Sequence, residues 1–179
     1  MPLVPVLSSF EYEKRVLASV RFTTRFTGEK LELSELINIV DTARWAPSIG
    51  NIQPWEIILI HDPIELKKLS SLHPRGRIFE KASGIYIIVT DPEATTNHLI
   101  DGGSIMSYLS LSASIRGYAV HIMALNDDPV IKSELAIPPK KYLLGLVAVG
   151  KPVEGQVMIP FRKGVKDILH LNKYGIRMF

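Results

Sequence analysis

Apolar residues along this chain switch between helical spacing and short unbroken runs, and the two patterns alternate. Leu33, Leu36, Ile37, Val40 and Ala43 recur at helical spacing, which predicts a helix closed by Pro47, a residue without an amide hydrogen. Trp55 to Ile60 is a β-branched run of strand length. Asp62-Pro63 with Glu65 predicts another helix start: cap, proline at the first position, acid at the third. The loop from His73 to Arg77 leads to a short helical piece, and Gly84 to Thr90 is the clearest buried strand. A helix from about Asn97 to Arg116, a strand from Ala119 to Met123 and a short helix capped by Asp128-Pro129 follow. Pro138-Pro139 breaks the chain before a strand from Tyr142 to Val149. At the start, Ser8-Ser9-Phe10-Glu11 reads as a capping box opening a helix to about Val20. At the end, a helix covers roughly Val165 to His170, and Asn172 to Phe179 forms a tail. The alternation within one core leaves α/β and α+β both open, and the lack of repeats or linkers predicts a single domain over residues 1–179.

Composition narrows the function classes. The net charge of +3 comes from dispersed Lys and Arg without a basic stripe, which argues against nucleic acid and suits a small anionic ligand. Without cysteine there is no disulfide, thiolate nucleophile or Cys-ligated metal, in keeping with a cytoplasmic setting. The apolar start, Met1 to Leu7, is short, carries two prolines and lacks a basic lead, so it does not read as a signal peptide. Ser104 to Leu125 is long enough to tempt a membrane assignment. However, it carries Arg116, Gly117, His121 and five serines, so it is expected to be a buried helix followed by a strand.

Candidate chemistry is sparse. The five histidines are spread without metal-ligand spacing, so no metal is expected. Ser48 lacks a Gly-x-Ser-x-Gly context, and Asp101-Gly102-Gly103 is better explained by packing near a helix start than by a phosphate loop. No catalytic residue can be named, which points to a cofactor for the difficult step. Two stretches stand out. In an extended segment Arg21, Thr23 and Arg25 point to one side and Phe22, Thr24 and Phe26 to the other. Two guanidiniums and a hydroxyl over an aromatic row suit a phosphate lying on a core. The other stretch, Ala46 to Trp55, is a proline-punctuated turn between helix and strand.

Those stretches resemble the flavin-dependent nitroreductase family. The likeness runs from Arg21-x-Thr23-x-Arg25 through Ala-Arg-Trp-Ala-Pro-Ser48 and Asn51-Ile-Gln-Pro-Trp55. It continues in a helix ending Arg-Gly117-Tyr, the strand end Val147-Ala-Val-Gly150-Lys-Pro152, and Phe161-Arg162-Lys163 before a final helix. The resemblance implies an α+β sandwich: a central, mostly antiparallel sheet flanked by helices, built as an intertwined homodimer with FMN at the interface. It implies that Arg21, Phe22, Thr23 and Arg25 hold the phosphate, ribityl chain and N1/O2 edge of FMN. Arg162, with Lys163, would complete the phosphate clamp. Pro47, Ser48, Ile49 and Asn51 would reach the flavin of the other subunit, and the backbone of His121, Ile122, Met123 and Ala124 would support the ring near N5 and O4.

The activity implied is electron transfer from NAD(P)H through flavin N5 to a small organic acceptor such as a nitroaromatic or quinone, with ping-pong kinetics. A flavin-dependent dehalogenase, a flavin-fragmenting relative, or a dimeric FMN-binding module without turnover are the alternatives. The chain departs from better-known family members in three respects, one being Ala124 where glycine is commoner. Only Asp91 to about Asn97 bridges the place where they insert helices that wall the substrate pocket. Arg75 and Arg77 stand where the family often has Asn or Lys near the flavin pyrimidine.

Overall fold

The structure is a computed structural model that describes residues 9–158 and 161–177. The capping serine at 8, the apolar start and the last two residues of the tail lie outside the described residues. Four strands form one sheet: β1 (Trp55–Ile60), β2 (Gly84–Thr90), β3 (Ala119–Ala124) and β4 (Tyr142–Gly150), in the order β1-β2-β4-β3. Every neighbouring pair is antiparallel. The sheet therefore resolves the open choice between α/β and α+β in favour of α+β.

Strand β2 is buried along its whole length, and its alternation feeds two cores. Ile85, Ile87 and Val89 pack with Leu66, Leu69, Phe79 and Ile131 on one side of the sheet. Tyr86 and Ile88 pack with Leu36, Ile39, Ile105 and Leu109 on the other. The first side is covered by α3 (Pro63–Ser71), the turn around Phe79 and α5 (Pro129–Glu134); the second by α2 (Leu33–Ala43) and α4 (His98–Ile115). A short α1 (Ser9–Leu17) precedes these, ending a turn earlier than expected, and α6 (Val165–Ile168) closes the described order two residues short of its expected end.

The caps expected at Asp62 and Asp128 are present. Asp62 Oδ1 accepts the amides of Ile64 and Glu65 at 2.8 and 3.2 Å, and Asp128 Oδ1 those of Val130 and Ile131 at 2.9 and 3.1 Å. Each such cap contributes on the order of 1 kcal/mol. The apolar run from Ser104 divides into α4 and β3, and no helix among the described residues is long and apolar enough to cross a membrane. Gly102 lets α4 lie on the sheet: a Cβ there would meet Leu144 Cδ2 at 2.4 Å and Thr90 Cγ2 at 2.9 Å.

The antiparallel registers align Ile60, Ile85, Ala148 and His121 in one row across the sheet. Trp55 and Thr90 lie at the opposite end, five residues further along the strands. Thus the start of β3 and the start of β1 occupy diagonal corners. Three strand spacings across and five residues along separate them by about 20 Å.

Candidate functional site

One corner of the sheet is built by residues 21–27 lying along the outer edge of β3. The amide of Val120 donates to Arg21 O at 2.8 Å and that of Thr23 to Val120 O at 3.0 Å. On its other side the segment pairs with the chain after β4: Phe22 exchanges amide bonds with Met158, and Val153 N donates to Arg25 O at 3.0 Å. Backbone groups are thereby satisfied, and the guanidiniums of Arg21 and Arg25 are left exposed.

The regular alternation predicted for this segment does not hold. A bend at Thr24 turns the chain, so Thr23 is fully buried while Thr24 faces solvent. The Thr23 hydroxyl accepts the Arg25 amide at 3.0 Å. It offers its single hydrogen to Arg25 O at 3.0 Å and Gln156 O at 3.1 Å. Its role is to shape the turn that presents Arg25. Phe22 is half-buried against the core under α4, and Phe26 is fully buried, as an aromatic backing requires.

Strand β3 carries the next part. Because Val120 directs its N–H and C=O outward to residues 21 and 23, the two-residue period directs those of Ile122 and Ala124 to the same edge. Among the described residues no strand pairs with that edge beyond Val120. His121 and Met123 take the other parity: Met123 is buried in the core, and His121 is half-buried with Nδ1 3.1 Å from Thr23 O. A carbonyl only accepts, so Nδ1 carries a hydrogen. Burial lowers the His121 pKa from its ordinary value and the charge of Arg75 lowers it further, against the opposing pull of the Thr23 carbonyl.

Arg75 and Arg77 flank Gly76, whose position tolerates no side chain: a Cβ there would stand 1.7 Å from Ser70 O. The turn is therefore pressed onto the end of α3, and both arginines project into solvent. Arg77 lines one cavity with Arg25, while Arg75 acts on His121. No ion pair among the described residues involves Arg21, Arg25, Arg75 or Arg77, although Lys68, Lys132, Lys141, Lys151 and Arg116 all have acidic partners.

Pro47, Ser48, Ile49 and Asn51 lie at the diagonal corner, leading into β1. Here Gly50, Asn51 and Gln53 all have positive φ, at 62°, 56° and 52°. Two non-glycine residues in that region store backbone strain, and three contacts hold them there. Ser48 Oγ accepts the Gln53 amide at 3.0 Å, the Asn51 side chain accepts from Gln53 Nε2 at 3.2 Å, and Asp101 Oδ1 accepts the Ile49 amide at 2.9 Å. Asp101 is only 2% exposed. Sequence reasoning placed it in a packing motif and missed it as the anchor of this loop. Its one signal was an acid inside an apolar helix start.

Arg162 and Lys163 are exposed near the end of the chain. The structure places Arg162 against α1, where it lines a cavity of about 370 Å³ with Glu13, Lys14, Leu17 and Ala18, and not in the cavity shared by Arg25 and Arg77. Among the described residues no cluster of potential metal ligands occurs.

Known proteins resemble the chain in part of its sequence and in fold. Residues 18–75, which carry both stretches and Arg75, match the family model described as the nitroreductase family. This stretch resembles the nitroreductase family. A protein from Archaeoglobus fulgidus with the provisional name NADH dehydrogenase/NAD(P)H nitroreductase is 31% identical over 68 residues, covering 38% of this chain and 39% of that relative. The match thus spans about two fifths of that relative's length. A Parabacteroides distasonis crystal structure with the same provisional name superposes with TM-score 0.80 at 19% identity, over 89% of this chain and 97% of that one. A structure described as an FMN-dependent nitroreductase, from Clostridium difficile R20291, gives TM-score 0.79 at 22% identity, over 89% and 98% of the chains. At these identities the superpositions speak to fold.

Proposed function

We propose that this chain is one FMN-binding domain of the nitroreductase family, acting as an NAD(P)H-oxidising oxidoreductase that reduces a small organic acceptor such as a nitroaromatic or quinone. One observation carries the reading. Exposed arginines without acidic partners stand beside a strand edge whose N–H and C=O groups are open. This combination fits FMN: a phosphate monoester carries about −1.5 to −2 charge and calls for guanidinium forks, and a flavin rim needs backbone donors and acceptors in line.

In this reading Arg21 with Arg162 and Lys163 would hold the phosphate, Arg25 and Arg75 the pyrimidine edge, and the edge groups of Ile122 and Ala124 the ring. FMN supplies the hydride-accepting and hydride-donating centre when bound. The protein's own tasks are positioning, charge stabilisation at the N1/O2 edge by Arg25, and exclusion of water by the apolar backing of Phe22 and Phe26. His121, neutral and tied to Thr23 O, holds the turn; its Nδ1 hydrogen is engaged.

The loop Pro47–Asn51 lies about 20 Å from this corner in its own chain, too far for both to hold one ring. If both serve one flavin, two copies are required, each supplying a corner to one site and a loop to the other. A face of α4 bearing Ile100, Tyr108 and Ile115 is exposed and suits the seam. On this helix Ser110 and Ser114 are buried, whereas Ser107 is open.

An FMN titration followed by anaerobic addition of NADH or NADPH tests the proposal. A yellow complex that bleaches with either nicotinamide is the expected result, and parallel steady-state lines should follow. A protein that takes FMN yet resists reduction by both nicotinamides would be a binding module without turnover.

A further inference from the structure

The short connection between β2 and α4 offers no helix to wall an acceptor, but a cavity next to Arg25 offers a wall. Phe26, Ile78 and Val153 form its apolar lining; Arg25, Arg77 and Lys81 are its cations and Glu80 its acid. We propose that this cavity binds a small aromatic carboxylate, with Arg77 and Lys81 selecting for the negative charge. The cavity adjoins the proposed flavin site, because Arg25 is shared between the two.

Size and charge support it together. The volume is about 270 Å³, at the small end of the roughly 300–1,000 Å³ typical of ligand pockets, which suits a single ring and not a dinucleotide. None of the three cations, nor Glu80, takes part in an ion pair among the described residues. The nearby acid Glu29 is bound to Lys151, so Lys81 keeps its charge for a ligand. Lys81 is also placed: its stem runs along Gly28, where an added Cβ would be 3.9 Å from both Lys81 Cβ and Cδ. Gly28 has φ +86°, a conformation glycine adopts without strain. An apolar floor under a cationic rim matches a ring that carries a carboxylate.

The test is calorimetric titration of 4-nitrobenzoate and of nitrobenzene into wild type, Arg77→Ser/Lys81→Gln and the charge-keeping Arg77→Lys/Lys81→Arg, each saturated with FMN. Both positions are exposed, so folding should be unaffected. The neutralised variant should bind 4-nitrobenzoate about tenfold more weakly, in line with the loss of exposed charged contacts. Its affinity for nitrobenzene and FMN should not change, and the charge-keeping variant should resemble wild type. Equal 4-nitrobenzoate affinity in wild type and neutralised variant, or no binding to wild type, would overturn the proposal. Wild type that refuses FMN while still binding 4-nitrobenzoate through Arg77 and Lys81 would instead sink the flavin reading alone.

Discussion

Replacing Thr23 by valine keeps the shape of a fully buried side chain and removes only its hydroxyl. Arg25 O retains the Val153 amide, and Gln156 is exposed, so its carbonyl can turn to water. The Arg25 amide, however, loses its acceptor inside the turn. An unsatisfied buried donor costs about 1–3 kcal/mol and a lost hydrogen bond about 1 kcal/mol. Thr23→Val should therefore destabilise by about 2–3 kcal/mol. Chemical denaturation reads this directly, and the melting temperature should fall by roughly 4–12 °C for a chain of this size. Thr23→Ser, which keeps the hydroxyl, should recover most of the loss. Because the bend presents Arg25, flavin affinity should weaken in Thr23→Val and return in Thr23→Ser. A Thr23→Val protein within about 0.5 kcal/mol of wild type, the range of ordinary surface changes, would refute the role assigned to this hydroxyl.

Three further outcomes are expected. Asp101→Leu should release the Ile49 amide and weaken FMN binding without touching the Arg21–Arg25 corner of the same chain, while Asp101→Asn, which keeps an acceptor oxygen, should do less harm; flavin titration of both compares them. His121 has a folded pKa below its unfolded value, so the unfolded chain binds more protons between the two: stability should be full above about pH 6.5 and decline as pH falls through the folded value, and His121→Gln should flatten that slope in pH-dependent denaturation. Arg162→Ala should weaken FMN about tenfold to a hundredfold if its guanidinium makes a charged hydrogen bond to the phosphate, and an unchanged titration would remove it from the clamp.

Much of the fold could be read along the chain because it is locally encoded. Asp62-Pro63 and Asp128-Pro129 cap through bonds spanning two or three residues, and Gly84 to Thr90 is apolar enough to demand burial on both faces. What escaped reading depends on distant partners. The row of Arg21, Thr23 and Arg25 has the period of a strand, but Gln156 and Val153 draw the segment into a bend. Asp101 meets Ile49 across 52 positions, and the fixed placing of Arg75 and Arg77 comes from Gly76 pressing on Ser70. The serines of α4 are likewise committed within the chain. Ser110 back-bonds to Met106 O and Ser114 receives the Arg21 amide, so neither is spare for a neighbour.

The central claim is that one flavin is held by diagonal corners of two copies, and a purified mixed dimer tests it most directly. One copy carries Arg21→Ala/Arg25→Ala and the other Ile49→Glu/Asn51→Glu. Each homodimer should be colourless, whereas the mixed dimer, which restores one intact corner facing one intact loop, should bind a single FMN with near wild-type affinity. A mixed dimer as empty as its parents, or a loop-variant homodimer that binds FMN normally, would contradict the account.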